Sequence, residues 1–578
     1  MDSLLKALDK AGLLAGLGQS DGGQGAAAAG GPGGAAAGEG PGGAAALSGS
    51  DGEVRAASVV HADGYLLCMA RVANPAEPAP AGPAGPPLGA ASSPGGAPDA
   101  AVGQSADAAV GGSNGAALHR RLLVVGKDKP RLGFPGEVAK HGEYFVQQVV
   151  PSPYALGTLW SLLPWTKPTS LRDKQTTIGL GDRIGLATPG QLAAFRGLGD
   201  EVSPVLAQQS IRELDFTGRS FPEVVTDASF GVFEAGFKRG YGGDGDHLKT
   251  IPDIDRALQA GMPMITLDLT EVLEPEFGNA PDEVIERRFA ELPADFRAVI
   301  DSQYADKRFE LETNAVHLSA AEARRCAVLY GPALAFSEEV DAHLKRQVPG
   351  GYDLEISVDE TTTPTLPEHH FFIARELERR GVTVAGVAPR FIGEFQKAID
   401  YIGDVDRFRS DFRLHCEIAR ATLGHKVSVH SGSDKLSVYP IVGSETKGRF
   451  HLKTSGTSWL ESLRTIAQVA PSVYRLVHER AGTYFPIAKR AYHIDADPAT
   501  LRPLSDTADD ELSTYLDDPT CRQFLHISYG GLLRDPSVRD AFFSVLHAQA
   551  EAHHENLRIH FERHFRALGI LSTNHPED

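Results

Sequence analysis

The chain has 578 residues and a formal net charge of -19, enough length for two or more domains or for one large barrel with additions. That acidic balance argues against a nucleic-acid or anionic-membrane surface, because phosphate binding needs clustered Lys and Arg; a local basic pocket for a small anion stays open. Four well-separated cysteines, Cys68, Cys326, Cys416 and Cys521, form no CxxC pair, which points away from a zinc knuckle and towards buried free thiols in a reducing, cytoplasmic compartment.

Met1 to Leu17 is amphipathic and carries Asp2 and Asp9. It suits a short helix and lacks the basic start and apolar centre of a secretory signal. No apolar run is long enough for a transmembrane helix. Residues 18–50 and 74–117 are dominated by Ala, Gly and Pro; such stretches bury too little to offset chain entropy, and disorder is expected. Between them, Val59-Val60 and Tyr65 to Met69 flank Asp63-Gly64, which reads as a β-hairpin, and Arg121 to Gly126 resumes as a strand. The expected division is a disordered low-complexity terminus over 1–52, a small β-rich subdomain over 53–168 with a disordered insertion at 74–117, and a globular unit over 169–578.

In that unit the candidate strands are 177–180, 264–268, 354–359, 382–387, 426–430, 450–453 and 524–527. Helical patterns fall at about 221–239, 281–303, 318–345, 367–380, 391–402, 406–423 and 457–480. Alternation of strand and helix predicts a parallel sheet with helices outside. Its repetition, without a clean dinucleotide fingerprint, favours an α/β fold of the (β/α)8 TIM-like barrel type over a doubly wound sheet. A last helix over about 536–568 is expected outside the barrel or at a homo-oligomer contact.

Polar clusters at the ends of apolar runs are where such a fold carries reactive groups. In Gly242 to Thr250, Asp244, Asp246 and His247 are candidate metal ligands and Lys249 a cation for a carboxylate or enolate; a solvated Gly-Asp turn is the plainer alternative. Asp359 and Glu360 are adjacent carboxylates at a strand end, so one faces the mouth while the other supports it from outside. Either could serve as metal ligand or base, or the pair could cap a turn. Arg390 can clamp a carboxylate or pair with Glu394. His430, Asp434 and Lys435 follow the run Val427-Ser428-Val429. His451 to Trp459 offers a small-residue loop entering a helix, suited to an anion. His526 lies on an apolar run, where a satisfied core histidine is the commoner outcome. Gly179-Leu180-Gly181-Asp182-Arg183 is read as a barrel loop with Asp182 and Arg183 facing a ligand. His547, His553, His554, His560 and His564 are read as a helix face. Imidazole and carboxylate without thiolate suit Zn, Mn, Ni or Fe as a divalent ion, acting as a Lewis acid.

The motifs GDGDHLKT at 243–250, SVDETTTP at 357–364, APRFIGEF at 388–395, KVSVHSGSDK at 426–435, KGRFHLKTSGTSWLE at 447–461 and LHISYG at 525–530 together resemble the tagaturonate/fructuronate epimerase family over roughly residues 170–570. The resemblance implies a barrel fold, a divalent metal ion and interconversion of the keturonates D-tagaturonate and D-fructuronate at C4. On strand-end position within the matched motifs, the expected metal ligands are His247, Glu360 and His430, with His526 as a fourth candidate. The expected catalytic groups are Glu360 or Asp434 as base and Lys249 as cation. Asp182, Arg183, Arg390, Lys435 and Lys453 are expected to contact substrate. Because C4 is not adjacent to the C2 carbonyl, simple α-proton abstraction cannot invert it, and opening of the C3–C4 bond by retro-aldol cleavage can. A metal-dependent sugar aldolase and a non-catalytic sugar-acid-binding protein are the alternatives.

Overall fold

The computed structural model of the chain describes residues 1–15, 17, 46–49, 52–73, 118–361, 363–454 and 456–571. Most of the two Ala/Gly-rich tracts, and with them the expectation of disorder there, lies outside those residues. At the margin of the first tract, Ala46–Gly49 pairs antiparallel with Gly52–Arg55, so the edge of the expected low-complexity terminus is a strand.

The amino-terminal sheet is antiparallel, and its main path runs through Gly52–Arg55, Tyr65–Ala73, Leu118–Gly126, Tyr144–Val149 and Val138–His141. The hairpin at Asp63-Gly64 forms, with both residues at positive φ. Side chains alternate along the long strands. Leu66, Cys68, Ala70 and Val72 face helix Asp2–Lys10, which buries Leu4, Leu5 and Leu8 against them. Leu67, Met69, Leu122 and Val124 face the other way, onto helix Pro153–Leu162 and onto Phe230 and Phe233 of the barrel. Ala73 and Leu118, which flank the second tract, are partners in the ladder.

Eight parallel strands close a barrel in sequence order: β1 Thr176–Gly181, β2 Val202–Ser210, β3 Gly242–Leu248, β4 Met264–Asp268, β5 Asp353–Val358, β6 Gly386–Pro389, β7 Lys426–Val429 and β8 Phe450–Lys453. Helices surround it, and the expected (β/α)8 architecture is present. Several expected helices divide where Pro denies the ladder an N–H: Asp282–Glu291 and Ala294–Gln303 meet at Pro293, and Thr457–Val469 gives way to Pro471–Ala488. The carboxy-terminal stretch is likewise two helices, Pro536–Ala548 and Ala550–Ala567. The second of these packs on Thr188–Ala193 and Thr457–Val469, so it is part of the wall. A second apolar core joins Thr457–Val469, Pro471–Ala488, Pro519–Ile527 and Pro536–Ala548.

Four expectations are corrected. Residues 524–527 are the end of helix Pro519–Ile527, not a strand; a four-residue apolar run has no period that separates the two. The strand expected at 382–387 lies at Gly386–Pro389. Residues 391–402 form no helix; they make an irregular strap held by a bridge between Glu394 and Ile402. The solvated turn offered as the plainer alternative for Gly242 to Thr250 is instead strand β3 over Gly242–Leu248, and its glycines answer to packing, since a Cβ on Gly245 would lie 2.8 Å from that of Ala257.

Candidate active site

The carboxyl ends of the strands bring one polar group together. β3 carries Asp244 and Asp246, and its register with β4 shifts between Gly245 and Leu248. Within that bulge His247 takes a φ of 53°, a left-handed conformation uncommon for a non-glycine residue. Bulges re-aim side chains beside active sites, and this one turns the imidazole of His247 into the mouth. β5 supplies Glu355 and, just past its end, Asp359. β7 ends at Val429, and His430 follows it directly, with Ser431 next at φ 49°. β8 supplies Lys453.

Lys453 anchors the floor. Its Nζ lies 2.6 Å from Asp246 Oδ1, 3.0 Å from Asp244 Oδ2 and 3.1 Å from Glu355 Oε1, and it donates to the Thr266 hydroxyl. All four charged groups are buried. Burial alone pushes the carboxyls up, and for Asp244 it prevails. For Asp246 and Glu355 the Lys453 ammonium and a neighbouring imidazole overcome it and hold them well below the usual carboxylate range.

Two imidazoles stand on this floor, each fixed by one nitrogen. His247 Nδ1 is 2.7 Å from Asp246 Oδ1, and His430 Nε2 is 2.7 Å from Glu355 Oε1. Their other nitrogens turn towards one carboxylate: Asp359 Oδ1 is 3.6 Å from His247 Nε2 and 3.1 Å from His430 Nδ1. That buried His430 Nδ1 makes no hydrogen bond. The ring centroids are 4.9 Å apart. An imidazole oriented through one nitrogen by a carboxylate, with the other directed at a shared point, is how proteins hold a divalent cation. Charge supports the same reading. Four carboxylates face one ammonium, and although burial works against it, the carboxylates around them raise both imidazoles towards the protonated form. Two imidazolium protons or one divalent ion supply the same charge.

His247, Asp359 and His430 therefore could hold a metal ion. Two other groups of donors exist among the described residues. In one, Asp434 beside His560 and His564, the carboxylate already pairs with Arg522 at 2.6 Å and Arg563 at 3.2 Å. In the other, Glu322 with Cys326 and His369, both ring nitrogens of His369 are engaged, by Glu322 and Tyr330. The first group opens onto a cavity: it borders a space of about 260 Å³ reaching Arg390 and Lys397, and a smaller one of about 50 Å³ reaching Arg183 and Lys453.

The structure sorts the residues expected from sequence. His247, Glu360, Arg390, His430, Arg183 and Lys453 line the mouth. Within the adjacent pair, Asp359 is the inward carboxylate. Glu360 is half-exposed, with Oε1 4.0 Å from His247 Nε2 and 3.9 Å from Arg212. His526 leaves the expected ligand set: on its helix it meets the Arg183 guanidinium at 3.5 Å, and burial with that neighbour lowers it well below its ordinary value. Asp434 is held by Arg522 and Arg563 and is not among the residues that line the two spaces of the mouth. Lys435 is fully buried and donates to the carbonyls of Gln396, Ile399 and Ser433, so it pins the strap. Lys249 reaches towards Asp268 and Glu271. Asp182 accepts from the backbone N–H groups of Ile184, Gly185 and Ala187 and shapes a turn. Arg183 pairs with Glu213 at 3.0 Å and lies 3.7 Å over the Tyr529 ring. Lys453 is saturated by the floor carboxylates. Sequence reasoning passed over Glu355, Arg212, Lys397 and Tyr492; an acidic residue inside an otherwise apolar strand was the signal available for Glu355.

With this geometry in place, comparison with known proteins gives a consistent result. A family model described as tagaturonate epimerase matches residues 122–568. The chain is 37% identical over 401 residues to a tagaturonate/fructuronate epimerase of Thermotoga maritima, covering 68% of this chain and 81% of that protein. It is similar to the native crystal structure of fructuronate-tagaturonate epimerase from Cohnella laeviribosi, with a TM-score of 0.77 and 36% identity over 90% of this chain and 96% of that one. A complex of the same enzyme with two glycerols gives 0.77 and 35%.

Proposed function

The chain belongs to the tagaturonate/fructuronate epimerase family, and from that premise we propose how its mouth inverts C4 of a keturonate. The enzyme is an isomerase, an epimerase of D-tagaturonate and D-fructuronate. The single observation that supports the chemistry best is the convergence of His247 Nε2, Asp359 Oδ1 and His430 Nδ1, with both imidazoles braced from behind by carboxylates. These three residues would hold a divalent ion, whose Lewis acidity polarises the substrate carbonyl when bound.

Glu360 stands beside that point and faces the cavity, so it takes the role of base for the C4 hydroxyl. Removal of that proton lets the C3–C4 bond open, its electron pair moving towards the C2 oxygen while C4 becomes an aldehyde. Rotation about the C4–C5 bond presents the other face. Re-formation of the C3–C4 bond returns the pair, and Glu360 returns the proton to the new hydroxyl. Lys453 holds Asp246 and Glu355, and through them the two imidazoles, in place. A retro-aldol course breaks no C4–H bond. Turnover of D-tagaturonate in heavy water should give D-fructuronate without deuterium at C4, read by NMR; substantial deuterium there rules the course out. The buried, unpaired cysteines support a reducing, cytoplasmic setting.

A further inference from the structure

The cations around the mouth are unequally matched. Lys453 meets three carboxylates, Arg183 meets Glu213, and Lys435 fills its donors with backbone carbonyls. Lys397 differs. Its Nζ makes one hydrogen bond, to Ser431 Oγ at 2.8 Å, and among the described residues no carboxylate forms an ion pair with it. It borders both parts of the cavity, as does Arg212, whose nearest ion-pair partner, Glu360, is 3.9 Å away. Glu360 and Glu213 favour the charge on Arg212, whereas the partly buried Lys397 faces the cavity with no carboxylate of the described residues in ion-pair range, a desolvation cost that an anionic ligand relieves. Burial, with Arg212 beside it, lowers the Lys397 ammonium from its ordinary value against the opposing pull of Glu213, Glu360 and Asp246.

The position is also fixed. Lys397 sits on the strap between Gln396 and Ala398, where Ala398 has a φ of 63°, and the Lys435 ammonium grips the carbonyls on either side, those of Gln396 and Ile399. Its contact Ser431 directly follows His430. A group held by Lys397 therefore lies within one small molecule of the His247–Asp359–His430 point.

We infer that Lys397, with Arg212, receives the carboxylate of the substrate and is the residue by which this site selects sugar acids over neutral sugars. The inference rests on the epimerase reading and adds the substrate's orientation, with its acid end at the strap and its keto end at the two imidazoles. A charged hydrogen bond of this kind commonly carries a factor of about 10 to 100 in binding.

The test compares the metal-loaded wild type with Lys397→Met, Lys397→Arg and Arg212→Gln. The KM for D-tagaturonate and the inhibition constant of D-tagatose, its neutral counterpart, are measured for each. Expected are a rise of about 10- to 100-fold in KM for Lys397→Met, D-tagatose inhibition within about twofold of wild type, partial recovery in Lys397→Arg and a smaller rise for Arg212→Gln. If Lys397→Met weakens acid and neutral sugar alike, or neither, the inference is overturned. Should Lys397→Met not fold, the exposed-side Arg212→Gln decides by the same comparison. Failure of the wild type to convert D-tagaturonate would instead strike the epimerase reading; the selectivity is then read from calorimetric binding of the two sugars.

Discussion

Asp359 and Glu360 show how finely the site depends on single positions. One carboxylate joins two imidazoles and the next, one residue on, faces the cavity beside them. Their replacements should separate cleanly. Asp359→Ala and His430→Ala should lose bound metal, measured by elemental analysis after desalting, and lose turnover with it. Glu360→Gln should keep the metal while turnover falls by about 10² to 10⁴. Metal loss in Glu360→Gln together with full retention in Asp359→Ala would reverse the roles assigned here. The sequence made the pair visible, because alternation at a strand end sends neighbours to opposite sides. Choosing between them required the bulge at His247, which no local pattern announces. Asp434 and Lys435 stood in an equally suggestive motif, yet their partners Arg522, Arg563 and the strap carbonyls come from distant parts of the chain.

Among the elements, strands with strong apolar character were readable: β1, β4, β5, β7 and β8 lie where periodicity placed them. β2 was missed because Pro204 and the run Gln208-Gln209 break the apolar pattern, although every residue of Val202–Ser210 is buried. β3 was hidden by glycines that its neighbours require. The strap at 391–402 carried a helical pattern, but tertiary contacts through Lys435 override it. Helix packing is just as exacting at Gly443, whose added methyl would overlap the Leu568 carbonyl at the end of helix Ala550–Ala567. Gly443→Ala should destabilise the fold by about 1–3 kcal/mol, seen as a lower denaturant midpoint. An unchanged midpoint would mean that the helix end yields freely.

Across the whole molecule, buried histidines set the response to acid. Burial holds His425, His451 and His564 down to about 3, and His478 and His553 to about 4. Released by unfolding, each takes a proton near its ordinary value of about 6.5. A depressed value in the folded state gives stability that is complete above about 6.5 and drains away as pH falls towards 3 to 4. Unfolding at pH 5 should therefore take up about five protons from these residues alone, measurable as the slope of stability against pH; a flat profile between pH 7 and 5 would contradict this. In the amino-terminal sheet, Ala73 and Leu118 stand side by side on neighbouring strands. Chain leaving at one returns at the other through a single doorway, so a foreign domain with adjacent termini can be spliced there, giving the enzyme a fluorescent or affinity handle.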